Sequence, residues 1–321
     1  MVEPGRPMIV RLRNWVGDVV LSTPVLQRLQ AQGHPLTLVG KGWAGELLAG
    51  FGWPVLRLGA THRERVAQLA QWRHEAAQDR WGSPRGINAI SFPYSASSAL
   101  EMRLAGLKAI GYDGEGRAGL LHRSWPRPRL GQAGHELEVY WRLGQRLLGS
   151  DEAPPAALQW QVSALHQARA QALMQANGLT PGFVMLCPFA GGTFEGQEKR
   201  WPHFEAFARA ALQRTTRPLV VCPGPGEEVE AAQQYPGAVV LPRVDLGTCA
   251  ALMQQAAVMV SNDTGPGHLA AAVGAPLVSV LGPTEPGHWG AWGPSVHVVR
   301  HWPRWPTVHE VWAVTEAAAR P

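Results

Sequence analysis

The stretch Val258-Met259-Val260-Ser261-Asn262-Asp263-Thr264-Gly265-Pro266-Gly267-His268-Leu269-Ala270-Ala271-Ala272-Val273-Gly274 passes from an apolar strand through a Gly/Pro turn into an Ala-rich helix. A helix that starts on such a turn aims backbone N–H groups and its positive dipole end at one point, which suits a phosphate. A second apolar strand over 276–281 follows and closes on Gly282-Pro283-Thr284-Glu285-Pro286. Strand, anion-binding turn, helix and strand make up half of a nucleotide-binding α/β domain. A phosphate-bearing ligand is therefore the first expectation.

The same alternation extends in both directions. In the first half, strands are expected at 8–12, 36–39, 55–58, 88–92 and 108–112, with helices at 19–32, 43–50, 62–78 and 95–105. Residues 113–134 are rich in Gly, Pro and Arg and read as loop; a helix over 136–148 and a linker over 149–155 follow. In the second half, strands are expected at 183–187, 219–222, 239–241, 258–261, 277–281 and 296–300, with helices at 165–176, 204–213, 227–234, 248–256 and 307–319. Alternation of this kind builds parallel sheets covered by helices. At 321 residues the chain suits two domains, expected at 1–155 and 156–321. Two such halves predict a ligand cleft at the carboxyl ends of the strands.

Composition narrows the class. A content of 45% hydrophobic and 17% charged residues supports a sizeable core. Three cysteines, Cys187, Cys222 and Cys249, lack metal-binding spacing, and an odd, sparse set points to reduced thiols in a cytoplasmic protein. The start of the chain has no apolar h-region, so a signal peptide is not expected. The longest apolar stretch is interrupted by Gly274 and Pro276, so neither is a membrane-spanning helix. A net charge of +5 and a pI near 9.5 favour anionic ligands or surfaces. No DNA- or RNA-reading motif accompanies the basic residues, so nucleic acid is not an expected partner. The 14 tryptophans suit sugar stacking or a membrane surface, with core packing the ordinary role for most of them.

Three further turns carry polar groups. Arg13-Asn14-Trp15-Val16-Gly17-Asp18 lies where the first strand hands over to the first helix. Asp18 there reads either as a helix N-cap or as an exposed general base. Gly191-Gly192-Thr193 through Glu198-Lys199-Arg200-Trp201-Pro202 offers a hydroxyl and two cations. Lys199 and Arg200 read either as diphosphate ligands or as solvated charges. In Cys222-Pro223-Gly224-Pro225-Gly226-Glu227-Glu228, one of the two carboxylates suits ribose hydroxyls, or both merely favour a helix start. His268 either donates to a ligand oxygen or lines its helix. No DxD, HExxH, Walker or GxSxG pattern occurs, so a metal-independent mechanism with no metal ligands is the default. No GxGxxG follows the first strand, which argues against a dinucleotide oxidoreductase.

Asp263-Thr264-Gly265-Pro266-Gly267-His268-Leu269 followed by Leu281-Gly282-Pro283-Thr284 resembles the signature of family 9 glycosyltransferases, the ADP-heptose:lipopolysaccharide heptosyltransferases. Asn14-Trp15-Val16-Gly17-Asp18 with Ser22-Thr23-Pro24, Ala105 through Tyr112, and Lys199-Arg200-Trp201-Pro202 are similar to other family segments. The Trp-Val-Gly-Asp and Lys-Arg-Trp-Pro-His forms look closer to the type II enzymes. The resemblance implies a GT-B fold: two Rossmann-like domains with parallel sheets facing across a cleft, the last helix packing back on the first domain. It implies an inverting transfer from the donor substrate ADP-heptose, without a further cofactor, to a lipopolysaccharide-type glycolipid at the inner membrane face. Asp18 then matches the base and Lys199 the diphosphate ligand. Asp263 matches a residue near the donor sugar, Thr264 and Gly265 the phosphate-holding backbone, and Glu227 or Glu228 the ribose ligand. Val244 falls at the adenine pocket and Thr193 at a hydroxyl before the lysine; Arg63, Arg65, Arg117 and Arg123 are basic candidates for the acceptor. The loop from Pro188 to Lys199 is longer than the family pattern, and Gly267 stands where a larger residue is common. Domain closure is expected to gate turnover. Other readings are a family member with a different sugar nucleotide or acceptor, and a non-catalytic nucleotide-sugar binder.

Overall fold

The computed structural model describes residues 5–78, 86–128 and 134–320. Residues 1–4 at the chain start and positions 129–133 of the expected loop lie outside them. The chain divides into two compact units, Met1–Leu48 with Gly52–Pro155, and Ala49–Phe51 with Ala156–Pro321.

In the first unit the elements run β1 (Met8–Arg11), α1 (Val16–Ala31), β2 (Leu36–Gly40), α2 (Ala44–Leu48), β3 (Val55–Arg57) and α3 (His62–Gln78). They continue through β4 (Ala89–Ser91), α4 (Ala96–Leu104), β5 (Ala109–Tyr112), β6 (Arg123–Trp125) and α5 (Glu136–Leu148). The sheet order is β3-β2-β1-β4-β5-β6, and every pairing is parallel. The second unit begins with α6 (Ala164–Ala176), β7 (Val184–Cys187), the hairpin β8 (Thr193–Phe194) and β9 (Gln197–Glu198), α7 (Phe204–Arg214) and β10 (Leu219–Val221). It continues with α8 (Glu228–Gln234), β11 (Val239–Val240), α9 (Leu246–Gln255), β12 (Val258–Asn262) and α10 (Gly265–Ala272). It ends with β13 (Leu277–Val280), α11 (Pro286–Trp289), β14 (Val296–Val299) and α12 (Val308–Ala318). Its main sheet, β11-β10-β7-β12-β13-β14, is also parallel throughout and repeats the order of the first.

The central strands β1 and β12 are buried at every residue, because helices cover both faces of a parallel sheet. Their apolar runs made them legible in the sequence. Two elements were not. The loop expected over 113–134 contains β6, which pairs with β5 from Ile110–Arg123 to Tyr112–Trp125. An edge strand needs no apolar alternation to be held. The long loop after β7 contains the β8–β9 hairpin, whose turn residues Glu195 and Gly196 both take positive φ, 50° and 78°. Such backbone geometry matches the twist of a tight hairpin. The last helix, α12, packs in the second unit, where Val311 joins the cluster of Phe207, Val258 and Val280.

Helix α1 tolerates Pro24 in its interior because side chains take over backbone duty. Proline supplies no N–H to the Val20 carbonyl one turn back, and the Thr23 hydroxyl donates to that carbonyl at 2.8 Å. Ser22 donates to Val19 O at 2.8 Å in the same way. Helices α1 and α5 pack closely where Gly144 meets Val25: a Cβ on Gly144 would fall 2.2 Å from Val25 Cγ2. Gly144→Val should therefore overpack this contact and lower stability by about 1–3 kcal/mol, read as a reduced denaturation midpoint with an unchanged slope.

Candidate active site

The strand order reverses between β1 and β4 in one sheet and between β7 and β12 in the other. Chains leaving two such strands turn to opposite faces, which opens a crevice beyond their carboxyl ends. The segments carrying polar groups in each unit start there.

In the first unit Asp18 follows β1. Helix α1 begins at Val16 with Trp15 at the cap position, earlier than the sequence suggests, so Asp18 is the third helical residue and not an N-cap. Its carboxylate still lies in the first turn, where the helix dipole favours negative charge. Tyr140 on α5 donates its hydroxyl to Asp18 Oδ1 at 2.7 Å, and Arg13 Nε lies 3.6 Å from the same oxygen. The Tyr94 ring, after β4, has the guanidinium carbons of Arg13 and Arg127 at 4.4 and 4.0 Å from its centroid. Tyr94 donates to Glu136 Oε1 at 3.1 Å, and Arg127 Nη2 lies 3.6 Å from Glu136 Oε2.

Electrostatics fix the protonation pattern of this cluster. Burial, then the Asp18 and Glu136 charges, push the Tyr140 phenol well above its ordinary range, so it stays a donor. Burial also raises Glu136, against the pull of Arg127 and Arg13. For Arg13, burial works against the charge, yet Tyr140, Asp18, Tyr94 and Glu136 outweigh it and raise its pKa. The basic candidates separate. Arg117 is fully buried and donates to Tyr112 O at 2.7 Å and Ser91 Oγ at 3.2 Å, so it braces the strand ends instead of meeting a ligand. Arg65 is held by Gly59 O at 2.7 Å and by Glu101 at 3.2 Å. Arg63 and Arg123 are exposed, the latter over the Trp125 ring at 4.9 Å.

In the second unit the loop after β7 brings Lys199 to the end of β12, where Lys199 Nζ lies 2.9 Å from Asp263 Oδ2. Thr284, after β13, donates to the same oxygen at 2.7 Å, and His268 Nε2 lies 4.0 Å from Oδ1. Asn262, 1% exposed, is the staple behind this arrangement. Its Oδ1 accepts from the Trp201 N–H at 2.9 Å, and its amide donates to Pro188 O at 2.6 Å. Both ends of the Lys199 loop are thus tied to β12. Trp201 closes the core side, donating to Pro306 O at 2.8 Å.

Adjacent cations part company in this loop. Arg200 pairs with Glu230 at 3.1 Å and lies over Phe189, while Lys199 alone of the two meets Asp263. The cradle at α10 is also narrower than its sequence implies. Thr264 is the N-cap and accepts from the Gly267 N–H at 3.3 Å, and Pro266 has no N–H. Gly265 is left to offer its N–H from that turn. The Thr264 hydroxyl is turned inward, 3.2 Å from Ser261 Oγ and 3.5 Å from Cys187 Sγ. Gly267 has Ser261 Oγ only 3.0 Å from where a Cβ would sit, which accounts for the small residue there.

A family model described as glycosyltransferase family 9 (heptosyltransferase) matches residues 88–315, more than two thirds of the chain. The chain belongs to glycosyltransferase family 9. It is similar to lipopolysaccharide heptosyltransferase 2 of Escherichia coli, 26% identical over 303 residues, covering 85% of this chain and 82% of that protein. Its fold is similar to that of E. coli ADP-heptose lps heptosyltransferase II, with TM-score 0.78 at 22% identity, covering 97% of this chain and 98% of the other. It is also similar to E. coli heptosyltransferase WaaC solved with ADP, with TM-score 0.71 at 21% identity, covering 98% and 100% of the two chains. The protein is thus a glycosyltransferase of the GT-B type, in agreement with the fold class that the resemblance implies.

Of the remaining candidates of this family 9 enzyme, Glu227, Glu228 and Val244 follow β10 and β11 of its second sheet. Glu227 Oε2 accepts from the Gly224 N–H and Glu228 Oε2 from the Gly226 N–H, each at 2.8 Å, so both carboxylates shape the loop after β10. Val244 is half-buried after β11, between Arg243, whose φ is 57°, and Asp245, the N-cap of α9. Thr193 is exposed on β8, opposite Glu198 in the hairpin. Sequence reasoning missed Tyr140, Thr284 and Asn262 as site-builders. Thr284 and Asn262 lie within quoted motifs, whereas nothing local marks Tyr140, 122 positions from Asp18. Asn262→Ala should strand the buried Trp201 N–H and Pro188 carbonyl; the expected cost is about 1–3 kcal/mol, measured by thermal or chemical unfolding.

Proposed function

We propose that this family 9 enzyme moves heptose from ADP-heptose to a lipopolysaccharide inner-core acceptor, with inversion and without a metal. The observation that carries the reading is the Lys199–Asp263 pair beside the N-terminus of α10, inside the turn that resembles the family signature. Relatives named as lipopolysaccharide heptosyltransferases, and a similar structure solved with ADP, support the choice of donor and acceptor.

In this reading Asp18 takes the proton of the acceptor hydroxyl as that oxygen attacks the anomeric carbon. The bond from the anomeric carbon to the β-phosphate oxygen breaks, and ADP leaves with an added negative charge. Lys199 and the Gly265 N–H offset that charge; preorganised groups of this kind contribute factors of about 10²–10³ each. Asp263 orients Lys199 and accepts from donor-sugar hydroxyls, with Thr284 fixing its Oδ2. Glu227 and Glu228 each spend Oε2 on their own loop, and Oε1 of one of the two meets ribose. Val244 borders adenine. The enzyme works at the cytoplasmic face of the inner membrane as a peripheral protein; among the described residues no helix is long and apolar enough to cross a membrane.

Asp18→Ala should abolish transfer while leaving ADP affinity within a few fold; near-normal turnover would remove Asp18 as base. Lys199→Ala should weaken ADP binding in calorimetry, and unchanged affinity would remove it from the phosphate site. Activity should survive excess EDTA, and loss that is restored by a divalent cation would overturn the metal-free mechanism. A panel of ADP- and UDP-sugars with truncated lipopolysaccharide acceptors tests the donor directly, with ADP-heptose expected to be turned over fastest.

A further inference from the structure

We infer that Tyr140 is a positioning residue for the base: its phenol holds Asp18 Oδ1 so that Oδ2 is presented to the acceptor hydroxyl. The inference rests on the reading of Asp18 as general base. Tyr140 Oη donates to Oδ1 at 2.7 Å, and the Arg13 guanidinium approaches that same oxygen at 3.6 Å. Among the described residues neither contact falls on Oδ2. A carboxylate gripped on one oxygen has its second lone-pair set aimed in one direction, and a general base gains rate only when so aimed.

The fold supports this assignment from outside the cluster. Tyr140 lies on α5 one turn before Gly144, and Gly144 is where α5 closes on Val25 of α1. The close approach that the missing Cβ permits brings the phenol to the first turn of α1. Tyr140 is 2% exposed, and its ring meets Phe92 edge-on at 5.1 Å. A buried phenol held in this way has few alternative rotamers, so the direction of its hydroxyl is set by packing. Tyr112, on β5, shows the contrasting use: it is equally buried, but its hydroxyl donates to a backbone carbonyl, Val139 O, at 2.8 Å.

The charges facing Asp18 come from several elements. Arg13 stands on the loop after β1, Tyr140 and Glu136 on α5, Tyr94 after β4 and Arg127 after β6. Removing the Tyr140 hydroxyl deletes the hydrogen bond that orients Oδ1 and leaves these other groups in place. Transfer should then slow while donor binding persists.

The test is Tyr140→Phe in the full chain, assayed for transfer from ADP-heptose, with ADP affinity measured in parallel. The expected result is kcat reduced by about tenfold to a hundredfold, with KM for the donor and ADP affinity little changed. Tyr112→Phe, which loses a buried phenol elsewhere, should lower stability and leave kcat little changed. A 3-fluorotyrosine at position 140, nearly isosteric and keeping the hydroxyl, should retain most of the parental kcat, and it serves even where the Phe variant does not fold. A Tyr140→Phe that keeps the parental kcat, or a 3-fluorotyrosine variant that folds and loses it, with Asp18→Ala inactive, would overturn the role of Tyr140 alone. An active Asp18→Ala would overturn the base assignment beneath it.

Discussion

The reversal of strand order in each sheet is the constraint on which the rest of this molecule depends. Right-handed crossovers send the chain to one face after β1 or β7 and to the other after β4 or β12. No helix can lie directly over the point where the two courses part, so that edge stays open to a ligand. The duplicated order places Asp18 and Tyr94 at one such edge, and Lys199 and Asp263 at the other. Backbone geometry selects these positions before any side chain acts.

Charge is then managed by pairing. Asp18, Glu136, Lys199 and Asp263 are each largely withdrawn from water, and an unpaired charge in that position would be costly. Each has a partner of opposite sign within 4.0 Å. Arg13 and Asp18 both follow β1, whereas Glu136 with Arg127 and Lys199 with Asp263 come from separate segments, so these two pairs also lock one segment to another. Asn262 does the same with neutral groups, joining the loops at Pro188 and Trp201 to one strand end. Lys199 is placed as much by this staple as by its own ion pair.

Much of the fold was legible because burial on both faces forces continuous apolar runs, as in Met8–Arg11 and Val258–Asn262. The turns after β1, β10 and β12 were legible from Gly and Pro. Strand β6 was not, since Arg123-Ser124-Trp125 at a sheet edge carries no apolar pattern. The β8–β9 hairpin hid behind glycines that read as flexible chain. Arg117 looked like a ligand for an anionic acceptor because arginine is rarely buried, yet five donors on one plane let it bind Ser91, Tyr112 and neighbouring carbonyls at once.

What the sequence determined by itself was local: strand cores, turn chemistry, helix starts and the family signature around Asp263, all set by residues within one turn of each other. Only the tertiary structure decided which carboxylate oxygen Tyr140 grips and which of two adjacent cations meets Asp263. It also decided how many N–H groups the α10 turn has left to give. Those outcomes depend on Gly144 against Val25 and on Asn262 between two loops. They are contacts between chain segments far apart in sequence, and short-range pattern carries no record of them.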